Sequence, residues 1–170
     1  KRLYKRVFFE KANNLITLKY ALDVENNLVI DHNIIIAEAN SSVTIVIDYS
    51  TVDTVKALHN GATKIYAKEG ANITLIKIQR MNDISCHFDS TVGYIKQGAK
   101  VHYVQVELGS KTCATNYINH LYESGASKSI GNEEEYVIVQ ASFNPIIDKI
   151  PLKDLRSMID EEIHRRLIHE

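Results

Sequence analysis

The stretch Gly70-Ala71-Asn72-Ile73-Thr74-Leu75-Ile76-Lys77-Ile78-Gln79 decides how this chain is read. A small dipeptide opens it, a polar residue follows, and a run rich in β-branched side chains completes it. Glycine tolerates the positive φ of a tight corner, alanine fits a crowded inner bend, and Ile and Thr suit a pleated strand. Within the run, apolar side chains fall at both odd and even positions, so both faces of the strand are expected to be covered.

The same unit recurs along the chain. Gly61-Ala62, Gly98-Ala99 and Gly125-Ala126 repeat the dipeptide, and Asn40-Ser41-Ser42 takes a similar place before Val43-Thr44-Ile45. From Gly70 to Gly98 and from Gly98 to Gly125 the intervals are nearly equal. A loose repeat of one coil length, with each unit stacking on the next, predicts a β-helix or β-solenoid. A sandwich or barrel with several similar hairpin turns is the alternative that periodicity leaves open. Alternation supports strands elsewhere: Val43, Ile45 and Ile47 share one face, and Val101 and Tyr103 alternate with His102, Val104 and Val106. Of 22 Ile and 13 Val, nearly all the Val precedes Gly109.

Composition places few limits beyond these. The 170 residues carry 20 Lys+Arg against 21 Asp+Glu, with 45% hydrophobic and 24% charged residues, as in an ordinary folded domain. A net charge of -1 gives no electrostatic drive toward nucleic acid or anionic lipid. The longest apolar run, Ile34-Ile35-Ile36-Ala37, is far too short to span a bilayer. The chain opens on Lys1-Arg2 without Met or a signal-peptide pattern and reads as part of a longer sequence. Cys86 and Cys113, without Cys-x-x-Cys spacing, suggest the reducing cytoplasm rather than a disulfide framework.

The character changes at Gly131-Asn132-Glu133-Glu134-Glu135. Asn132 with Glu135 forms a capping box, predicting a helix from Glu133 to about Phe143 that Asn144-Pro145 ends. After Pro151, Leu152, Leu155, Ile159, Ile163 and Leu167 recur at three- and four-residue steps, the stripe of an amphipathic helix of about four turns. The expected organisation is a β-helix core over 1–130 and a helical domain over 131–170.

Candidates for chemistry are sparse. Cys86-His87 is the weak candidate for metal, since a thiolate beside an imidazole suits iron, but adjacent strand residues point to opposite faces. Cys113 reads as a small strand residue. His32, His59, His87, His102 and His120 show no ligand spacing, and no Gly-x-x-x-x-Gly-Lys-Ser/Thr loop is present to cradle phosphates. No catalytic residue and no resident cofactor is assigned.

Several ordered segments carry a family resemblance: His59 through Tyr66, Gly70 through Gln79, Gly98 through Val104, Leu121 through Ala126, Phe143-x-Pro145-Ile146-Ile147, and Ile150-Pro151-Leu152-x-x-Leu155. Together they resemble the SufB/SufD family over most of the chain from Asp31 to Arg166. The resemblance implies a right-handed parallel β-helix with C-terminal helices, acting as a non-catalytic scaffold for iron–sulfur cluster assembly. It also implies a cytoplasmic dimer, with itself or a SufB-type paralogue. A SufC-type ABC ATPase would dock on Leu152, Leu155, Ile159, Ile163 and Leu167, and any cluster would be held only transiently in the assembled complex.

Ile47-Asp48-Tyr49-Ser50-Thr51-Val52 lacks the Gly-Cys-Ser/Thr-Ala-Pro element of the SufB branch, so the resemblance is to SufD or an undifferentiated homologue. Family members also carry a long block where this chain passes directly from Ser129-Ile130 to Gly131, which suggests a missing segment. The competing reading is a free-standing β-helix protein acting on or binding polysaccharide, which would place acidic and basic residues together on adjacent coils.

Overall fold

A computed structural model describes residues 2–9, 14–52, 54–122, 125–133 and Ser157. The chain divides into two units, Lys1–Gly131 and Asn132–Glu170. The described residues form ten strands: β1 (Arg2–Phe9), β2 (Asn14–Leu22), β3 (Leu28–Ala37), β4 (Ser42–Thr51), β5 (Leu58–Ala67), β6 (Asn72–Arg80), β7 (Cys86–Ile95), β8 (Lys100–Glu107), β9 (Thr112–Leu121) and β10 (Ser127–Glu133).

Odd strands form one sheet in the order β1-β3-β5-β7-β9, and even strands form the other in the order β10-β8-β6-β4-β2. Every pairing with a determined register is parallel. Hairpins give antiparallel neighbours, whereas parallel neighbours need a crossover. Here the crossover is a strand of the opposite sheet. The arrangement is solenoid-like, and the sandwich and barrel alternatives fall. Successive coils repeat in near-constant register: Arg2 pairs with Ile30, Leu28 with Leu58, Leu58 with Cys86, and Cys86 with Thr112. The even sheet keeps the same step, with Asn14 beside Val43, Ser42 beside Asn72, and Asn72 beside Lys100.

The corners explain the recurring dipeptide. Asn40, Gly70, Gly98 and Gly125 have φ of 58°, 68°, 66° and 81°. They stack into one row: the Asn40 amide donates to the Glu69 carbonyl at 2.9 Å and the Gly70 amide to the Gln97 carbonyl at 2.9 Å. Ala71 and Ala99, next in the chain, are fully buried. Gly61-Ala62 departs from the pattern, because it lies in the middle of β5 and turns no corner. At Gly98 an added Cβ would meet nothing closer than 3.9 Å, so only its positive φ resists a side chain. Gly98→Ala should therefore cost about 1 kcal/mol, read as a lower urea midpoint with an unchanged slope.

The core lies between the sheets. Ile35, Ala37, Ile65, Ala67 and Ile95 from the odd sheet meet Val43, Ile45, Ile73, Leu75 and Val101 from the even one. The even sheet is also buried on its other face, at Val46, Ile76, Ile78, Val104 and Val106, as the two-sided apolar pattern of Ile73 to Ile78 requires.

β10 corrects one expectation. Asn132 and Glu133, read as the start of a capped helix, extend this strand, which runs without interruption across Ser129–Gly131. A helical cap and a strand end both suit a short polar residue followed by a carboxylate, and here the extended pairing wins. The helices expected over 133–143 and 152–167 otherwise lie outside the described residues, Ser157 excepted. No described helix is long and apolar enough to cross a membrane.

Candidate functional site

One end of the solenoid interior is polar. The apolar core fills the end near the Asn40–Gly125 corner row. At the other end, the first inward positions of β3, β5 and β7 bring in Asp31, Asn33, His59, Thr63, His87, Asp89 and Thr91. Across from them β2, β4, β6 and β8 supply Tyr20, Tyr49, Lys77, Gln79 and Gln105. Parallel register makes this segregation continuous, since His59 sits beside His87 and His87 beside Cys113 on successive strands. Buried polar groups are tolerated only when partnered, so the contacts organise the interior.

Two networks result. In the first, Tyr20 donates to Oδ1 of Asn33 at 3.0 Å, and the Asn33 amide donates to the Asp31 carboxylate. Oδ1 of Asp31 lies 2.7 Å from Nε2 of His59, and Nδ1 of His59 lies 3.0 Å from Nδ1 of His87. The Tyr49 ring packs on both imidazoles, with centroids 4.1 and 5.0 Å away. Gly61 leaves the room for this: a Cβ there would come within 2.5 Å of Asp31 Oδ1 and 2.7 Å of His59 Cε1. That close approach is what mid-strand Gly61 provides.

In the second network, the Lys77 ammonium donates to Oδ2 of Asp89, to Thr91 at 2.7 Å and to Thr63 at 3.2 Å. Its three protons are all matched. Burial by itself would raise the Asp89 carboxyl, yet the adjoining Lys77 ammonium holds it below the usual carboxylate range. Burial pushes the His87 imidazole down to about 3, and neighbouring His59 and Lys77 act in the same direction against Asp89. Burial with the Asp31 charge lifts Tyr20 to about 12, and burial lifts Tyr49 well above its ordinary range.

Of the sequence candidates, Cys86 and His87 are not brought together. They alternate on β7, with His87 fully buried and Cys86 partly exposed on the other side. Cys113 faces inward on β9, where burial and the nearby Glu107 push its thiol up to about 12. A protonated thiol is a poor metal ligand. Among the described residues no group of three or more His, Cys, Asp and Glu is placed to hold a metal ion.

Charged side chains from neighbouring coils pair inside the solenoid, Lys77 with Asp89, and outside it, Lys68 with Glu38 and Arg80 with Asp48. Leu152, Leu155, Ile159, Ile163 and Leu167 lie outside the described residues.

A model of the SufBD core domain, described as SUF system FeS cluster assembly, matches residues 20–132. The chain belongs to the SufB/SufD family. No curated protein and no solved structure matches it. The matched span runs from Tyr20 on β2 to Asn132 on β10, so the SufBD core covers the stacked coils from the end of β2 onward and contains the polar interior residues named above. The protein therefore has a role in SUF iron–sulfur cluster assembly, within a family of assembly components.

Proposed function

We propose that this chain is a non-catalytic scaffold subunit of the SUF system, which docks a SufC-type ABC ATPase and pairs with a second copy or a SufB-type paralogue. The observation that carries the reading is the SufBD core match lying over coils whose register is continuous from β3 to β9. ATP hydrolysis belongs to the partner, and clusters are cargo of the assembled complex in the cytoplasm rather than a resident group. The docking stripe is Leu152, Leu155, Ile159, Ile163 and Leu167, and nucleotide-driven pairing of the ATPase would pull on it to reshape the solenoid dimer.

The full chain mixed with the SufC-type ATPase of the same source should elute as one larger species with an altered ATPase rate. Leu155→Asp combined with Ile159→Asp should abolish both effects while the circular dichroism of the β core is unchanged. A double variant that binds as well as the parent would refute the docking stripe.

Polysaccharide binding is less well supported. Exposed rings that grip sugars present their flat faces, whereas Tyr66, Tyr94 and His120 stack on one another at 5.0 Å with interplanar angles of 8° and 11°. Both faces of Tyr94, and one face each of Tyr66 and His120, are taken up by this stacking.

A further inference from the structure

The row Asp31–His59–His87 contains a directional hydrogen-bond chain. A carboxylate only accepts, so Nε2 of His59, 2.7 Å from Asp31, is the donor. If His59 is neutral, its Nδ1 is bare, and the proton shared across the 3.0 Å gap belongs to Nδ1 of His87. That assignment strips the far nitrogen of His87, Nε2, of its proton. It is a buried lone pair with no hydrogen-bond partner among the described residues, and Tyr49 Oη and Asp89 Oδ1 are likewise unmatched. All three side chains are at least nine-tenths buried. Buried polar atoms are nearly always partnered, so three left unmatched need an explanation.

We propose that Asp31, His59 and His87 form a buried proton relay whose open end, Nε2 of His87, accepts a hydrogen bond from a small protic ligand bearing O–H, N–H or S–H. When the ligand gives up its proton, Nε2 of His87 gains it and Nδ1 of His87 passes its own proton to Nδ1 of His59. Nε2 of His59 then passes its proton to Oδ1 of Asp31. Three bonds to hydrogen form, three break, and the negative charge of Asp31 reappears on the ligand. Tyr20, Tyr49, Lys77, Asp89 and Cys113 are the other titratable groups around the row. The depressed basicity of His87 fits a ring that transmits a proton without keeping it.

The test uses the full chain labelled with 15N, with water as the protic probe, and reads the histidine rings by long-range proton–nitrogen correlation near neutral pH. The relay requires His59 protonated at Nε2 only, His87 protonated at Nδ1 only, and a cross-peak between water and the His87 ring protons flanking Nε2. In His59→Gln, the Nδ1-protonated form of His87 should be lost as the predominant species. A protonated Nε2 on His87 in the parent protein overturns the relay, and a bare Nε2 without the water cross-peak overturns the ligand site. Both of these readouts come from the parent, so they decide the matter even where the variant fails to fold.

Discussion

Lys77→Met should destabilise the protein by about 3–5 kcal/mol, the largest loss expected from a single interior change. Lys77 and Asp89 are each about 1% exposed at the side chain. Removing the ammonium leaves a buried carboxylate with only partial compensation from hydroxyls, and Oδ1 of Asp89 is already unmatched among the described residues. Thr63 and Thr91 lose their shared donor as well. The companion double variant Lys77→Met with Asp89→Leu should recover most of the loss, because apolar side chains of similar volume often replace a buried ion pair at little cost. Urea unfolding measures both. A single variant within about 1 kcal/mol of the parent would mean that solvent reaches the pair.

Acidification from pH 7 to pH 4.5 should remove about 3 kcal/mol of stability through His87. Its folded-state value is depressed from 6.5 to about 3. The unfolded chain therefore takes up a proton as pH falls through 6.5, while the folded protein resists until about 3. The contribution is present in full above pH 6.5 and declines by about 1.4 kcal/mol per pH unit below it. Asp89 stays out of this window: its contribution persists above its ordinary 3.8 and fades only below that. Of these two groups, His87 is the one that contributes slope between pH 6 and 4.5. His87→Gln should flatten it, and equal slopes in parent and variant would show that the imidazole is not held neutral by burial.

The backbone of this solenoid was legible because its corners make a demand few residues meet. Gly70, Gly98 and Gly125 sit where φ is positive, and Asn40 is a non-glycine residue that tolerates it. Gly61-Ala62 looked the same in sequence but serves close packing, which a dipeptide pattern cannot separate from a turn. Both-sided burial of β6 was readable from Ile73 to Ile78.

The polar interior was not. His59 and His87 appear scattered when sought at helix or metal-finger spacings, yet they pair in register on neighbouring coils, as do Thr63 and Thr91. The coil length measured from the glycines, applied to the histidines, would have paired them. Asp31 carries no such mark, since its ladder partner is Gly61 while its hydrogen bond goes to His59. Lys77 and Asp89 meet across the two sheets, a contact that no repeat along one sheet announces.

Reconstitution tests the central claim most directly: purified SUF components assemble clusters and deliver them to an apo-ferredoxin, followed by visible absorbance, with and without this chain. The account predicts that omission sharply lowers cluster delivery and that adding back the full chain restores it. Equal delivery in its absence would contradict a scaffold role.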